Sequence, residues 1–453
     1  MRRWKALIAV FALALCFVPA SVAADDDAEG MNLTWHWFGS LRARPEYNDN
    51  LSDVSPVVDD EVSYANYRVN FGFSVDLDKG VSVLLDGQAY GAWGEDQTPQ
   101  RGNLTTDNTS GDVAFYRAYI KAANIMDSNF SVTAGRQPLE YADEWLLGDS
   151  DFYAGTSWDA IRGDYQMKDD RGSVSLFWAK VAEQDVPETL VFTGDIGNDF
   201  DMYGIWTDWR VGDHSSLDVS ALYGMDRRDV AGKGYTDKRF TGAVNYTYKN
   251  RDDGGFFFVG NGGLQDGRTL DSIGAKQEVE GWAYELTPGW LWVHKGENGE
   301  ADRYTKIWVR AAEYSGDDQE TNEVETWSPV AMDQHFRYGA TDFWGGTFGH
   351  GAYIGGTPGF EALQLGFSTQ TKVGIGLKGI IQQQRRSEKI GPGQDNRNLG
   401  QEIGVIASYD YGRNLTLELG VGQLFAGTAF SYEPPLFGQG NGRRAWLSAT
   451  AHF

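Results

Sequence analysis

Alternation of apolar and polar side chains with a period of two constrains this chain more than any other feature. Between Asn66 and Asp78, Tyr67, Val69, Phe71, Phe73, Val75 and Leu77 fall on one face, and Asn66, Arg68, Asn70, Gly72, Ser74 and Asp76 on the other. A period of two means β-strand, because successive side chains point to opposite faces. A strand of about ten residues with one apolar and one polar face suits a wall between lipid and water, as in a transmembrane β-barrel. Such segments recur 18 times, from one near 31–44 to one near 444–453. The expected fold is all-β, a transmembrane antiparallel barrel of about 18 strands.

The breaks between segments alternate in length. Asp78-Lys79-Gly80, Lys168 to Arg171, Gly212 to Ser215, Gln370 to Lys372 and Tyr411 to Arg413 are short, and each lies between longer ones. Short periplasmic turns and long outer loops give this asymmetry, and an even strand number puts both termini on the periplasmic side. The last segment places Leu447, Ala449, Ala451 and Phe453 on one face. A terminal Phe on an alternating strand resembles the signal read by the outer-membrane insertion machinery. Two segments fit poorly. Val174 to Val181 is apolar on both faces, and Phe130, Val132, Ala134 would carry Arg136 toward lipid. Since an arginine in hydrocarbon costs about 2–4 kcal/mol, a bulge at Gly135 is expected there.

The first residues read as an export signal. Arg2, Arg3 and Lys5 form a basic region, Ala6 to Val18 an apolar core too short to span a bilayer, and Val22, Ala23 and Ala24 a small-residue cleavage site. The expected organisation is a signal peptide at 1–24, a short acidic periplasmic tail at 25–30 and an outer-membrane barrel at 31–453. Cys16, the only cysteine, lies within the signal, so no disulfide or thiolate site is expected in the processed chain.

Charge divides along the same pattern. The chain carries a formal charge of −25, and the long breaks alone hold 34 acidic against 9 basic residues. Acidic outer loops bridge to lipopolysaccharide through divalent cations, disfavour re-entry of a polyanion or hold Ca²⁺. No resident cofactor is expected. Strands and turns are nearly balanced, and their polar face carries many arginines. Arg42, Arg44, Arg68, Arg117, Arg136, Arg162, Arg210 and Arg310, with Asp164, Asp208 and Glu402 among them, are the candidate pore-lining residues. Lumen charges set pore selectivity. An excess of arginine favours anions, because the planar guanidinium grips carboxylates in pairs.

Nothing marks an enzyme. The six histidines, His36, His214, His294, His335, His350 and His452, show no metal-binding spacing, and there is no G-x-S-x-G, Walker loop or H-E-x-x-H. No nucleic-acid partner is expected from so acidic a chain.

Several short segments, in order along nearly the whole processed chain, resemble the alginate export family of outer-membrane barrels. They include Ser40 to Glu46, Gln88 to Glu95, Ala118-Tyr119 with Gly135-Arg136-Gln137, Leu147 to Ser150, Trp158-Asp159-Ala160, Tyr314 to Asp317 and Gly400 to Phe453. The resemblance implies an 18-stranded barrel, an arginine-lined constriction and secretion of an anionic polysaccharide, with a periplasmic secretion scaffold as a further partner. It points first to Arg42, Arg44 and Arg68, then to Arg117 and Arg136. Beside this stands a second reading, a porin for small solutes and anions in which the 316–358 loop folds inward as a constriction. A barrel enzyme or adhesin is the third.

Overall fold

A computed structural model describes residues 33–51, 60–77, 80–93, 113–149, 151–182, 199–227, 237–270, 275–296, 301–318, 320–329, 332–333, 335–345, 358–389, 396–432 and 440–453. The signal, the tail and 14 of the 34 acidic long-break residues invoked for Ca²⁺ fall outside them. Eighteen strands pair antiparallel in sequence order, and β1 closes the ring on β18. The strands are β1 (Thr34–Asp49), β2 (Val62–Asp76), β3 (Val81–Ala92), β4 (Ala114–Ala122), β5 (Phe130–Gln137), β6 (Trp158–Gln166), β7 (Gly172–Ala182), β8 (Phe200–Gly212) and β9 (Ser215–Asp226). They continue as β10 (Asp237–Lys249), β11 (Gly255–Leu270), β12 (Lys276–Lys295), β13 (Ala301–Tyr314), β14 (Phe360–Gln370), β15 (Ile375–Arg385), β16 (Asn398–Tyr411), β17 (Leu415–Ala426) and β18 (Asn441–His452). Closure removes both sheet edges, which a bilayer requires because its core offers no hydrogen bonds to free backbone groups.

The alternation sorts side chains as expected. On β1, Trp35, Trp37 and Leu41 are exposed on the outer wall, while Arg44, Glu46 and Asn48 are buried on the inner one. Near the short-turn end, Trp35, Trp37, Phe71 and Phe73 cluster on the outer wall with ring centroids 5.1–6.2 Å apart. They form part of an aromatic girdle of the kind that sits at a membrane interface.

Two strand expectations need correction. β1 runs five residues beyond position 44, so Glu46 belongs to the inner wall and not to an outer loop. Pro45 lacks an N–H, and the β1–β18 pairing passes over positions 44 and 45 and resumes at Glu46. At Gly135 there is no bulge. The β4–β5 and β5–β6 registers run through it unbroken, with Arg136 opposite Ala118 and Asp159. Gly135 takes φ +124, which a residue with a Cβ rarely adopts, and this local distortion does not change the side on which Arg136 emerges.

Candidate functional site

Two connections on the long-loop side fold back into the barrel, residues 138–157 between β5 and β6 and part of 315–359 between β13 and β14. Both carry apolar side chains that are almost completely buried: Leu139, Trp145, Leu146, Leu147 and Phe152 in the first, and Trp327, Phe343 and Trp344 in the second. The two meet where Trp145 stacks on Trp327 at 5.3 Å between centroids and donates from Nε1 to the Tyr314 hydroxyl at 2.9 Å. Tyr141 stacks on Trp206 and Phe177 of the inner wall, at 4.6 and 5.8 Å. This explains the two-faced pattern of β7. Its inner apolar residues, Phe177 and Ala179, are buried beneath the first segment, while Leu176 remains on the outer face.

The arginines ranked first in the sequence hold this first segment. Arg68 donates from Nη1 to the Asp151 carbonyl at 2.8 Å, and Arg42 to the same carbonyl at 3.3 Å. Arg42 and Arg44 both donate to the Phe152 carbonyl, Arg44 at 3.2 Å. The Arg44 guanidinium also lies 3.9 Å from the Phe152 ring centroid, a cation–π contact. Farther along, Gln88 exchanges two hydrogen bonds of 3.1 Å with the backbone of Gly155. Three cationic forks thus converge on backbone carbonyls of the lumen segment.

The second segment is latched by charge. Arg337 donates to both carboxylate oxygens of Glu285 on β12 at 3.0 Å and to Asp143 of the first segment at 2.8 Å. Burial opposes the Arg337 charge, yet the carboxylates of Glu285 and Asp143 hold its pKa well above the ordinary arginine value. Tyr338 donates to Glu285 and shares a 2.7 Å hydrogen bond with Tyr314. Glu402 on β16 accepts from the Thr341 backbone N–H at 2.7 Å, and Arg444 on β18 joins Asp342, at 3.5 Å, to Glu46, at 2.7 Å. Asp342 also meets His335 Nδ1 at 2.8 Å. The histidine therefore serves as a packing residue, stacked on Phe152 at 4.6 Å. Among the described residues no group of His, Cys, Asp and Glu could hold a metal.

No protein-family model matches the chain, and no curated protein does. Solved structures do. OccAB1 of Acinetobacter baumannii superposes with a TM-score of 0.57 at 11% sequence identity, over 92% of this chain and 97% of that one. OpdO of Pseudomonas aeruginosa gives 0.55 at 12% identity, over 92% and 97%. The outer membrane protein OprD of the same organism gives 0.54 at 11% identity, over 94% and 95%. The chain shares their fold.

The remaining candidates occupy different settings. Arg117 pairs with the buried Asp86 at 2.7 Å, and Arg162 with Asp164 at 2.9 Å; both are ion pairs within the inner wall. Arg310 lies 3.5 Å from Glu285 and donates to the Arg337 carbonyl at 2.8 Å. Asp208 stands opposite Asp218 across β8 and β9, and Arg210 is exposed at the short-turn mouth. Arg136 is the one candidate that does not line the lumen. It lies on the outer wall and pairs with Asp159 by two hydrogen bonds of 2.8 and 2.9 Å. The parity read from Phe130, Val132 and Ala134 was correct, and pairing in place of a bulge makes the outward charge tolerable.

Asp143 and Arg337 were not among the candidates from the sequence, where 141–156 reads as one of the long outer loops. The available signal was the run Trp145-Leu146-Leu147 with Phe152-Tyr153, too apolar for a solvated loop.

Proposed function

We propose that this chain is an outer-membrane porin, a passive channel for small solutes with a preference for anions. The observation that carries this reading is the pair of lumen segments pinned to the wall by Arg42, Arg44, Arg68, Glu402 and Arg444. Cross-pieces fixed by buried aromatic packing and charged hydrogen bonds narrow a lumen permanently. A narrowed, charged lumen sorts small molecules by size and sign. A polysaccharide conduit needs room for an extended polymer, which makes the porin the better-supported of the two transport readings. The outer-membrane barrels that share the fold support the location and a non-enzymatic role.

Lumen arginines would sort anions by exchanging hydrogen bonds with them. Lipid, lipopolysaccharide and the insertion machinery are its proposed partners. Liposome swelling with sugars and amino acids of increasing size tests passage, and reversal potentials in planar bilayers test charge preference. Swelling by the smaller solutes together with anion selectivity is expected. Impermeability to all of them with block by oligouronates would return the reading to polysaccharide secretion.

A further inference from the structure

Toward the short-turn end, below the second lumen segment, the inner wall opens into a cavity of about 540 Å³. Lys249 from β10, Lys306 from β13 and Lys378 from β15 line it, with Glu418 from β17 as the single carboxylate. Glu418 accepts a hydrogen bond from Trp446 Nε1 at 3.0 Å. None of the three ammonium groups forms an ion pair among the described residues, and Lys306 has only the Trp308 ring, 5.1 Å away. Like charges gathered in one cavity repel each other, so the arrangement is costly until an anion enters. The lining carries two more positive charges than negative.

The ligand chemistry follows from which cations are present. No arginine lines the cavity. Arginine's fork matches carboxylate and phosphate alike, whereas three compact ammonium charges with a net excess of two select by charge number, and a tetrahedral dianion answers that excess where a monocarboxylate does not. Hydroxyls of Ser368 and Ser408 add donors, and Leu291, Ile406 and Phe336 supply an apolar side. We propose that this cavity is a binding station for a phosphoryl dianion, either inorganic phosphate or a monoester whose apolar body rests on Leu291, Ile406 and Phe336. Only its role as a station on a transport path rests on the porin reading.

The test uses the full protein in planar bilayers at about pH 7.5, where a phosphoryl group is mostly doubly charged. Inorganic phosphate, phenyl phosphate and benzoate are added separately to the side of the short turns. Phosphate should reduce the chloride current at concentrations about tenfold lower than benzoate, a difference of roughly 1.4 kcal/mol. Phenyl phosphate acting at still lower concentration identifies a monoester; equality with phosphate identifies the inorganic ion. The variant K249Q/K306Q/K378Q should lose the difference, and K249R/K306R/K378R, which conserves all three charges, should keep it. Broadening of the ³¹P resonance of phosphate by detergent-solubilised protein reads binding without requiring conduction. A conducting channel with no phosphate preference and no broadening overturns the station and leaves the porin reading intact. Broadening by a protein that does not conduct overturns the porin reading alone.

Discussion

Arg444 on β18 reaches Glu46 on β1 at 2.7 Å, with both side chains wholly withdrawn from solvent. The pair spans the seam where the last strand closes on the first, and its other nitrogen lies 3.5 Å from Asp342 of the second lumen segment. One guanidinium therefore ties barrel closure to the placement of the constriction. Replacing Arg444 by Leu takes the nearest guanidinium away from two buried carboxylates, at a cost of about 3 kcal/mol. The expected result is a lower midpoint of urea unfolding in detergent and loss of heat-modifiable migration on gels.

Removal of the carbonyl-binding arginines should open the lumen as well as change its charge. A hydrogen bond from a charged donor contributes roughly 1.5–3 kcal/mol, and Arg42 and Arg68 supply five to Asp151, Phe152 and Tyr153 of the first segment. The double variant R42A/R68A should show larger and noisier single-channel conductance. Conductance unchanged, with selectivity alone reduced, would mean that the segment does not depend on them.

Acid should tighten the first segment. Burial, helped by the neighbouring charges of Asp149 and Asp333, pushes the Glu144 carboxyl up to about 7. Burial with the Asp151 charge pushes Asp149 up to about 6. A raised carboxyl pKa means that the packed segment prefers the protonated form. Its contribution is complete below the ordinary carboxyl range and is lost as pH rises through about 6 to 7. Hydrogen exchange over residues 139–157 should be slower at low pH beyond the intrinsic rate change, and E144Q should flatten the dependence.

Gly339 takes φ +121, and a Cβ there would run into the Glu402 carboxylate. Gly339→Ala should therefore displace the latch between Glu402 and the Thr341 N–H and cost more than about 1 kcal/mol. Protease sensitivity of the 324–345 region should rise while the barrel itself remains folded.

Arg136 on the outer wall supplies the negative control. Arg136→Ala should leave ion selectivity unchanged, although it strips Asp159 of its partner on the outer wall. A shift in reversal potential would show that it does reach the permeating ions.

Strand number, strand parity and the inward position of most charged residues were all legible in the sequence. A period of two is a local property, and the pleat turns it into wall and lumen without reference to the rest of the chain. That is why even Arg136 followed its written parity where a bulge had been expected. What each inward charge meets was not legible. Arg42, Arg44 and Arg68 face carbonyls 83 to 111 positions away, and Arg444 finds Glu46 398 positions away. Those partners depend on how two long connections fold back into the lumen, driven by burial of Trp145, Trp327, Phe343 and Trp344 against the inner wall. Local alternation determines a barrel with a charged interior, whereas long-range burial decides which of those charges hold the constriction and which, like Lys249, Lys306 and Lys378, form no ion pair among the described residues.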